Sequence, residues 1–149
     1  MPTWNGAWSA AEATAYLDDA TVPIRLACHR PNGGLWMLSL WFAYQDGEFR
    51  CATGANADIV EYLEADGSVA FEVSDNEPPY RGVRGAGTVS IEPDPGKELL
   101  HELFERYLGG TDNTLADKLL VEGRKEVRLR IEPNRLYTWD FSDRMSDAV

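Results

Sequence analysis

Apolar positions along this chain fall in short runs separated by turn residues, and the period of those runs changes twice. Ile24 to His29 reads as a strand, and Pro31-Asn32-Gly33-Gly34 as the turn that ends it. Leu35 to Tyr44 (LWMLSLWFAY) is then a long apolar and aromatic strand, expected to be buried on both faces or nearly so. Gln45-Asp46-Gly47 predicts a tight hairpin because Asp-Gly readily takes positive φ, and Glu48 to Thr53 is the returning strand. After Thr53 the period becomes helical. Asn56 to Ala65 places Ile59, Val60 and Leu63 on one face, with Asn56 as the cap. Ser68 to Val73 alternates again as a strand, and Tyr80 to Ile91 is a longer, glycine-rich one.

Two helices follow. From Gly96 to Leu108, the residues Leu99, Leu100, Leu103, Phe104 and Tyr107 form a single stripe, and a shorter helix spans Asn113 to Val121. Val127 to Ile131 is a strand, interrupted near Pro133 and continued by Leu136 to Phe141. At the N-terminus Ser9 and Glu12 have capping-box spacing, which starts a helix from Ala10 to Asp18.

The pattern predicts a mainly β chain: a six- to seven-stranded antiparallel β-barrel, closed or partly closed, in meander order with a short helix after the third strand. Strands apolar on both faces need cover on each. A helix can cover one face, and a partner subunit could cover the other. At 149 residues the expectation is one domain, residues 1–149, with an N-terminal helical segment over 1–20 and a polar tail over 142–149.

Charge narrows the partners. Asp and Glu number 25 against 14 Lys and Arg, a net charge of −11, so binding of nucleic acid through its phosphates is not expected. Only Lys97, Lys118 and Lys125 are lysines. Such an acidic, lysine-poor surface suits either a high-salt environment or an ordinary acidic cytosolic protein. No apolar run reaches membrane-span length, and the first residues lack the basic-then-apolar pattern of a secretory signal, so a cytoplasmic location without membrane attachment is expected. Cys28 and Cys51 lie far apart in apolar runs and read as buried free thiols. With His29 and His101 they form no metal spacing.

Candidate chemistry centres on residues 78–91, PPYRGVRGAGTVSI. Gly82, Gly85 and Gly87 weaken a strand, and Arg81 and Arg84 set permanent cations beside them. Either another surface, such as a flat ligand with an anionic tail, approaches this backbone closely, or the strand is simply bulged at a barrel corner. Arg84 is a candidate for an anion site or for an ion pair with Glu72. There is no Gly-x-Ser-x-Gly elbow and no His-Glu-x-x-His, which sets esterase and metal hydrolase chemistry aside.

The order of these elements (strand, Asp-Gly hairpin, strand ending in Thr53, helix, strand, then a Val-Arg-x-x-Gly strand) resembles the pyridoxamine 5′-phosphate oxidase-like family, the FMN-binding split barrels, over roughly residues 20 to 141. The C-terminal IEPNRLYTWDFSDRM is similar to the last strand of a subgroup. The resemblance implies a homodimer with FMN in a groove between subunits. It places Ser39, Leu40 and Trp41 along the isoalloxazine, Thr53 at the phosphate end and Arg84 on the glycine-containing strand. Trp41 and Thr53 also have plain structural readings, as a packed ring and a strand end.

Where the family pattern has a Ser-Arg-Lys phosphate clamp, this chain has Ala57, Asp58 and Ile59. On this reading Arg81 and Arg84 replace the clamp, or the cofactor is a deazaflavin coenzyme, or none is bound. In the clamp's absence, Ile59→Lys is expected to tighten FMN binding. The resulting expectation is an FMN-dependent oxidoreductase acting on a small-molecule substrate that nothing in the sequence specifies. The alternatives are a deazaflavin-dependent reductase of the same fold or a cofactor-free dimeric binding or scaffold protein.

Overall fold

The computed structural model describes residues 3–147. In chain order the elements are β1 (Trp4–Gly6), α1 (Ala10–Asp19), β2 (Ile24–His29), β3 (Leu35–Leu40), β4 (Ala43–Gln45), β5 (Glu48–Gly54), α2 (Asp58–Ala65), β6 (Ser68–Ser74), β7 (Arg81–Pro93), α3 (Glu98–Leu108), α4 (Thr114–Leu119) and β8 (Glu126–Asp140). The last two residues of the expected tail, and the first two of the N-terminal segment, lie outside the described residues.

The sheet has eight strands, not six or seven, for two reasons. β1 falls inside the segment read as helical, where it pairs with β8 in parallel. The long apolar strand from Leu35 to Tyr44 is broken at Trp41–Phe42, giving β3 and β4. Nor is the order a meander: the strands run β3-β2-β6-β7-β8-β5-β4, so β2 pairs with β6 and β5 with β8 across the sequence. The two ends of that path, β3 and β4, are halves of one continuous segment. The sheet is therefore curled back on itself, and the strand break is its seam.

At the seam, Phe42 turns fully inward, where it packs against Phe49. Its backbone N–H donates to the Tyr107 hydroxyl at 3.1 Å, and that hydroxyl donates to the Val22 carbonyl at 3.1 Å. A backbone donor with no strand partner is thus satisfied by a side chain from α3, as a buried amide requires. The barrel interior is built around Phe49, whose ring lies 4.7 Å from that of Phe71, with Leu26, Leu129, Ile131 and Leu136 fully or almost fully buried around it.

Local signals explain most boundaries. Ser9 and Glu12 form the capping box of α1, with both reciprocal hydrogen bonds in place. Asp46 and Gly47 take φ of 54° and 78°, the pair of positive angles that a two-residue hairpin needs. Asn113 caps α4 through Ala116 N–H at 2.7 Å. Asn56 does not cap α2: the cap is Ala57, which offers no side-chain hydrogen bond. Pro133 does not interrupt the last strand. Ala86 faces Arg135 and Gly87 faces Pro133, so Asn134 is left over as a bulge and β8 runs on.

β3 departs from expectation in burial. Leu35, Trp36 and Met37 are 78%, 45% and 64% exposed rather than buried on both faces. β3 ends the sheet path and pairs only with β2; Leu38 and Leu40 pack against the core and Trp36 meets Tyr62 edge-on, while Leu35 and Met37, on the opposite face, stay exposed.

Candidate functional site

Strand register builds a polar row across five strands. Ser39 on β3 faces Arg25 on β2, Arg25 faces Glu72 on β6, Glu72 faces Arg84 on β7, and Arg84 faces Tyr137 on β8. Directly paired residues project on the same side of a sheet, so the five side chains form one stripe. Two residues along, a second row reads Met37, Ala27, Ala70, Ala86 and Arg135. Three successive alanines cannot fill the space above the sheet. They leave an open trough of about 420 Å³, floored by small residues and edged by Arg25, Glu72, Arg84, Arg135 and Tyr137. At its β3 end the trough is lined by the exposed side chain of Met37.

The interior side of the same strands explains the glycines. Leu26, Phe71, Gly85 and Leu136 form the row facing the core. A Cβ on Gly85 would lie 2.2 Å from the Arg135 carbonyl oxygen and 2.8 Å from Phe71 Cζ. A Cβ on Gly87 would lie 2.4 Å from the Glu132 carbonyl oxygen, beside the bulge. These glycines make room for neighbouring strands and for the Phe71 ring. The bulge of the second reading is present at Ala86/Gly87, and Gly85 also lines the trough.

The residues expected at the site are placed as follows. Arg84 lines the trough. Its Nε is 3.5 Å from Glu72 Oε2, and its guanidinium lies 4.0 Å over the Trp139 ring. Both partners of the Arg84–Glu72 pair are about half exposed, so the pair contributes only about 0–1 kcal/mol and leaves the guanidinium free to turn to a ligand. Ser39 joins the same stripe, accepting a hydrogen bond from Arg25 Nη1 at 3.1 Å.

Arg81 lies elsewhere, bound to Asp75 at 3.0 Å; that hydrogen bond raises the guanidinium's affinity for its proton. Asp75 also accepts from the Tyr16 hydroxyl at 2.8 Å, and burial followed by this hydrogen bond pushes the Tyr16 phenol well above its ordinary range. This cluster ties α1 to the barrel. Leu40 is partly buried against the core, opposite Ile24. The Trp41 ring stacks on Tyr107 at 5.1 Å and meets Phe104 edge-on, so it packs under α3.

Thr53 lies in a different hollow, of about 580 Å³, lined by Thr53, Gly54, Ala55, Asn56, Ala57, Gly123, Arg124 and Lys125. This hollow shares no residue with the trough. Within one protomer, Arg84 and Thr53 do not meet in one cavity.

Ile59, the position of the absent clamp lysine, is 4% exposed and faces the core from α2. A lysine at this position would have to leave the core before it could meet an anion. Arg25, Arg135 and Tyr137 in the trough, and Arg124 and Lys125 in the hollow, were not found from sequence. The only trace of the trough ahead of the fold was the period-2 pairing of charged with small residues: Arg25 with Ala27, Ala70 with Glu72, Arg84 with Ala86.

Among the described residues no cluster of three or more His, Cys, Asp or Glu is arranged to hold a metal, and no helix is long and apolar enough to cross a membrane.

The curled eight-stranded sheet has counterparts among solved structures. A conserved hypothetical protein from Mycobacterium tuberculosis is 27% identical, with a TM-score of 0.73, covering 91% of this chain and 86% of its own. An F420 reductase is 27% identical, with a TM-score of 0.68, covering 80% and 92%. An FAD-binding protein from Mesorhizobium loti shares the fold at 20% identity and a TM-score of 0.61, covering 87% and 92%. No family model matches the sequence, and no curated protein matches it. The chain has the split-barrel fold of the pyridoxamine 5′-phosphate oxidase-like proteins, the family its sequence resembles. Within that fold its neighbours include flavin-type and deazaflavin-type proteins.

Proposed function

We propose that the protein is an oxidoreductase that binds a flavin-type cofactor, FMN or a deazaflavin, between two copies of the chain. The observation that carries this reading is the trough: a flat floor of Ala27, Ala70 and Ala86, edged by three guanidiniums and reaching the exposed Met37 of β3. Its chemistry fits such a cofactor. A planar ring system buries well against small side chains and Tyr137, and Arg25, Arg84 and Arg135 suit the anionic groups of the cofactor or substrate. A second copy packed on Leu35 and Met37 would cover apolar surface that the protomer leaves in water, and would bring its own residues to the trough.

When bound, the cofactor supplies hydride or electron transfer. The chain's part is to hold and orient it. Backbone groups of Ser39, Leu40 and Trp41 would run along the ring and Arg84 and Arg25 would neutralise negative charge; Thr53, which lies outside the trough of its own protomer, would reach the phosphate end only from the second copy. Arg81 is already committed to Asp75, which leaves Arg84 the more available of the two. The 27% identity to an F420 reductase favours the deazaflavin as the second cofactor to test.

The test is a fluorescence titration of the purified protein with FMN and, separately, with F420, with molar mass measured by light scattering. Saturable binding of either by a dimer is expected. A dimer that leaves both spectra unchanged would leave only the cofactor-free binding or scaffold role, and a monomer would overturn a site shared between two copies.

A further inference from the structure

We infer that the trough selects a flat ligand with an anionic group at each end, and that Glu72 is the residue that sets this preference. The inference rests on the trough being the binding site and names the charge class of what lies there.

The chain has a net charge of −11, so its overall field repels anions. The trough runs against that field, with the guanidiniums of Arg25, Arg84 and Arg135 and the single carboxylate of Glu72 along its edge. These charges are unevenly placed. Arg84 on β7 and Glu72 on β6 face each other at the middle, with Arg84 Nε 3.5 Å from Glu72 Oε2. Ser74 Oγ donates to Glu72 Oε1 at 3.0 Å and keeps the carboxylate there. Whichever way the Arg84 guanidinium turns, Glu72 stays beside it, so the centre of the trough carries no net charge.

The outer arginines differ. Arg25 on β2 also faces Glu72 in register, but it donates to Ser39 Oγ at 3.1 Å, on the side away from that carboxylate. Arg135 on β8 faces Ala86, which brings no charge. Neither Arg25 nor Arg135 forms an ion pair among the described residues. In the sheet β2 and β8 are three strand spacings apart, about 14 Å, with Ala70 and Ala86 on the floor between them. The order across the trough is therefore cation, neutral pair over an apolar floor, cation. A ligand that matches it has a flat apolar body and an anion at either end, as in an aromatic or conjugated dicarboxylate. A ligand with its only anion at the centre would meet Glu72 as well as Arg84.

The test uses three fluorescent probes with one ring system: 2-naphthol, naphthalene-2-sulfonate and naphthalene-2,6-disulfonate. They are titrated into the full-length protein at pH 7 and low ionic strength, where charge effects are least screened. Wild type should bind the disulfonate about fivefold or more tighter than the monosulfonate, the gain from one added contact with an exposed cation. Arg135→Ala, at an exposed position, should abolish that preference and spare the monosulfonate, which keeps Arg25. Glu72→Gln should tighten the monosulfonate several-fold and shrink the ratio, because Arg84 then adds a net cation at the centre. Binding of 2-naphthol should be the same in all three proteins. Equal binding of the two sulfonates by wild type, a preference that survives Arg135→Ala, or an unchanged ratio in Glu72→Gln overturns the inference even if a flavin binds. A disulfonate preference without FMN or F420 binding retains the inference and removes the cofactor reading. Where FMN also binds, its displacement by the disulfonate assigns the dianionic class to the cofactor, and binding of both at once assigns it to the substrate.

Discussion

Replacing Ile59 with lysine puts the sequence pattern and the structure in direct conflict. By the family pattern the new cation restores a clamp and tightens FMN binding. In the structure Ile59 is 4% exposed and packs into the barrel core beside Val60 and Leu63. Losing the burial of an isoleucine side chain costs about 1.5–3 kcal/mol. The ammonium adds a further penalty, reduced because α2 lies at the surface and a lysine stem can bend its head toward water. The sum is about 3–5 kcal/mol, a large share of the stability of an ordinary domain. At about 2–4 °C per kcal/mol for a chain of this size, the thermal midpoint should fall by about 6–20 °C. Differential scanning calorimetry of the two proteins, with FMN affinity measured below both midpoints, checks it. A midpoint within 2 °C of wild type together with tighter FMN binding would refute the reasoning, since it would require residue 59 to face the ligand.

Arg84→Ala should weaken FMN or F420 binding at least tenfold, about 1.4 kcal/mol, while the thermal midpoint and dimer persist, because its ion pair with Glu72 is exposed; unchanged affinity in the fluorescence titration removes Arg84 from the site. Tyr107→Phe strands the Phe42 N–H at the seam and should cost about 1–3 kcal/mol, read by urea unfolding, with no loss expected if the amide finds another partner. Glu48 is held below the usual glutamate range, first by its hydrogen bond from Arg130 and further by Arg50. Its contribution is therefore present above the ordinary glutamate pKa and lost as pH falls through the lowered value. Glu48→Gln should flatten the acid limb of the stability curve, and an unchanged acid limb would show that the pair contributes nothing. Burial pushes the Cys51 thiol up to about 12 and raises Cys28 as well, so neither should react with a thiol reagent at neutral pH until the protein unfolds; stoichiometric labelling of the native protein would contradict their burial.

Much of this molecule was legible in one dimension because the signals are local. The capping box at Ser9 and Glu12, the Asp46-Gly47 turn and the stripe on α3 each depend on residues a few positions apart, and backbone sterics or helical period decide them without help from the rest of the chain. The order of those elements was enough to suggest the split barrel.

What the sequence left open depends on which strands meet. The break at Trp41–Phe42 follows from curling one sheet until its ends are successive segments of chain, and the Tyr107 hydroxyl that serves it comes from a helix more than sixty residues away. The alanine trough exists only because β2, β6, β7 and β8 bring Ala27, Ala70, Ala86 and Arg135 into one row. Residues 53 and 124 share a hollow because β5 pairs with β8. Register is a cooperative property of the whole sheet, fixed by burying one face of every strand at once, so no window of sequence short of the full chain contains it.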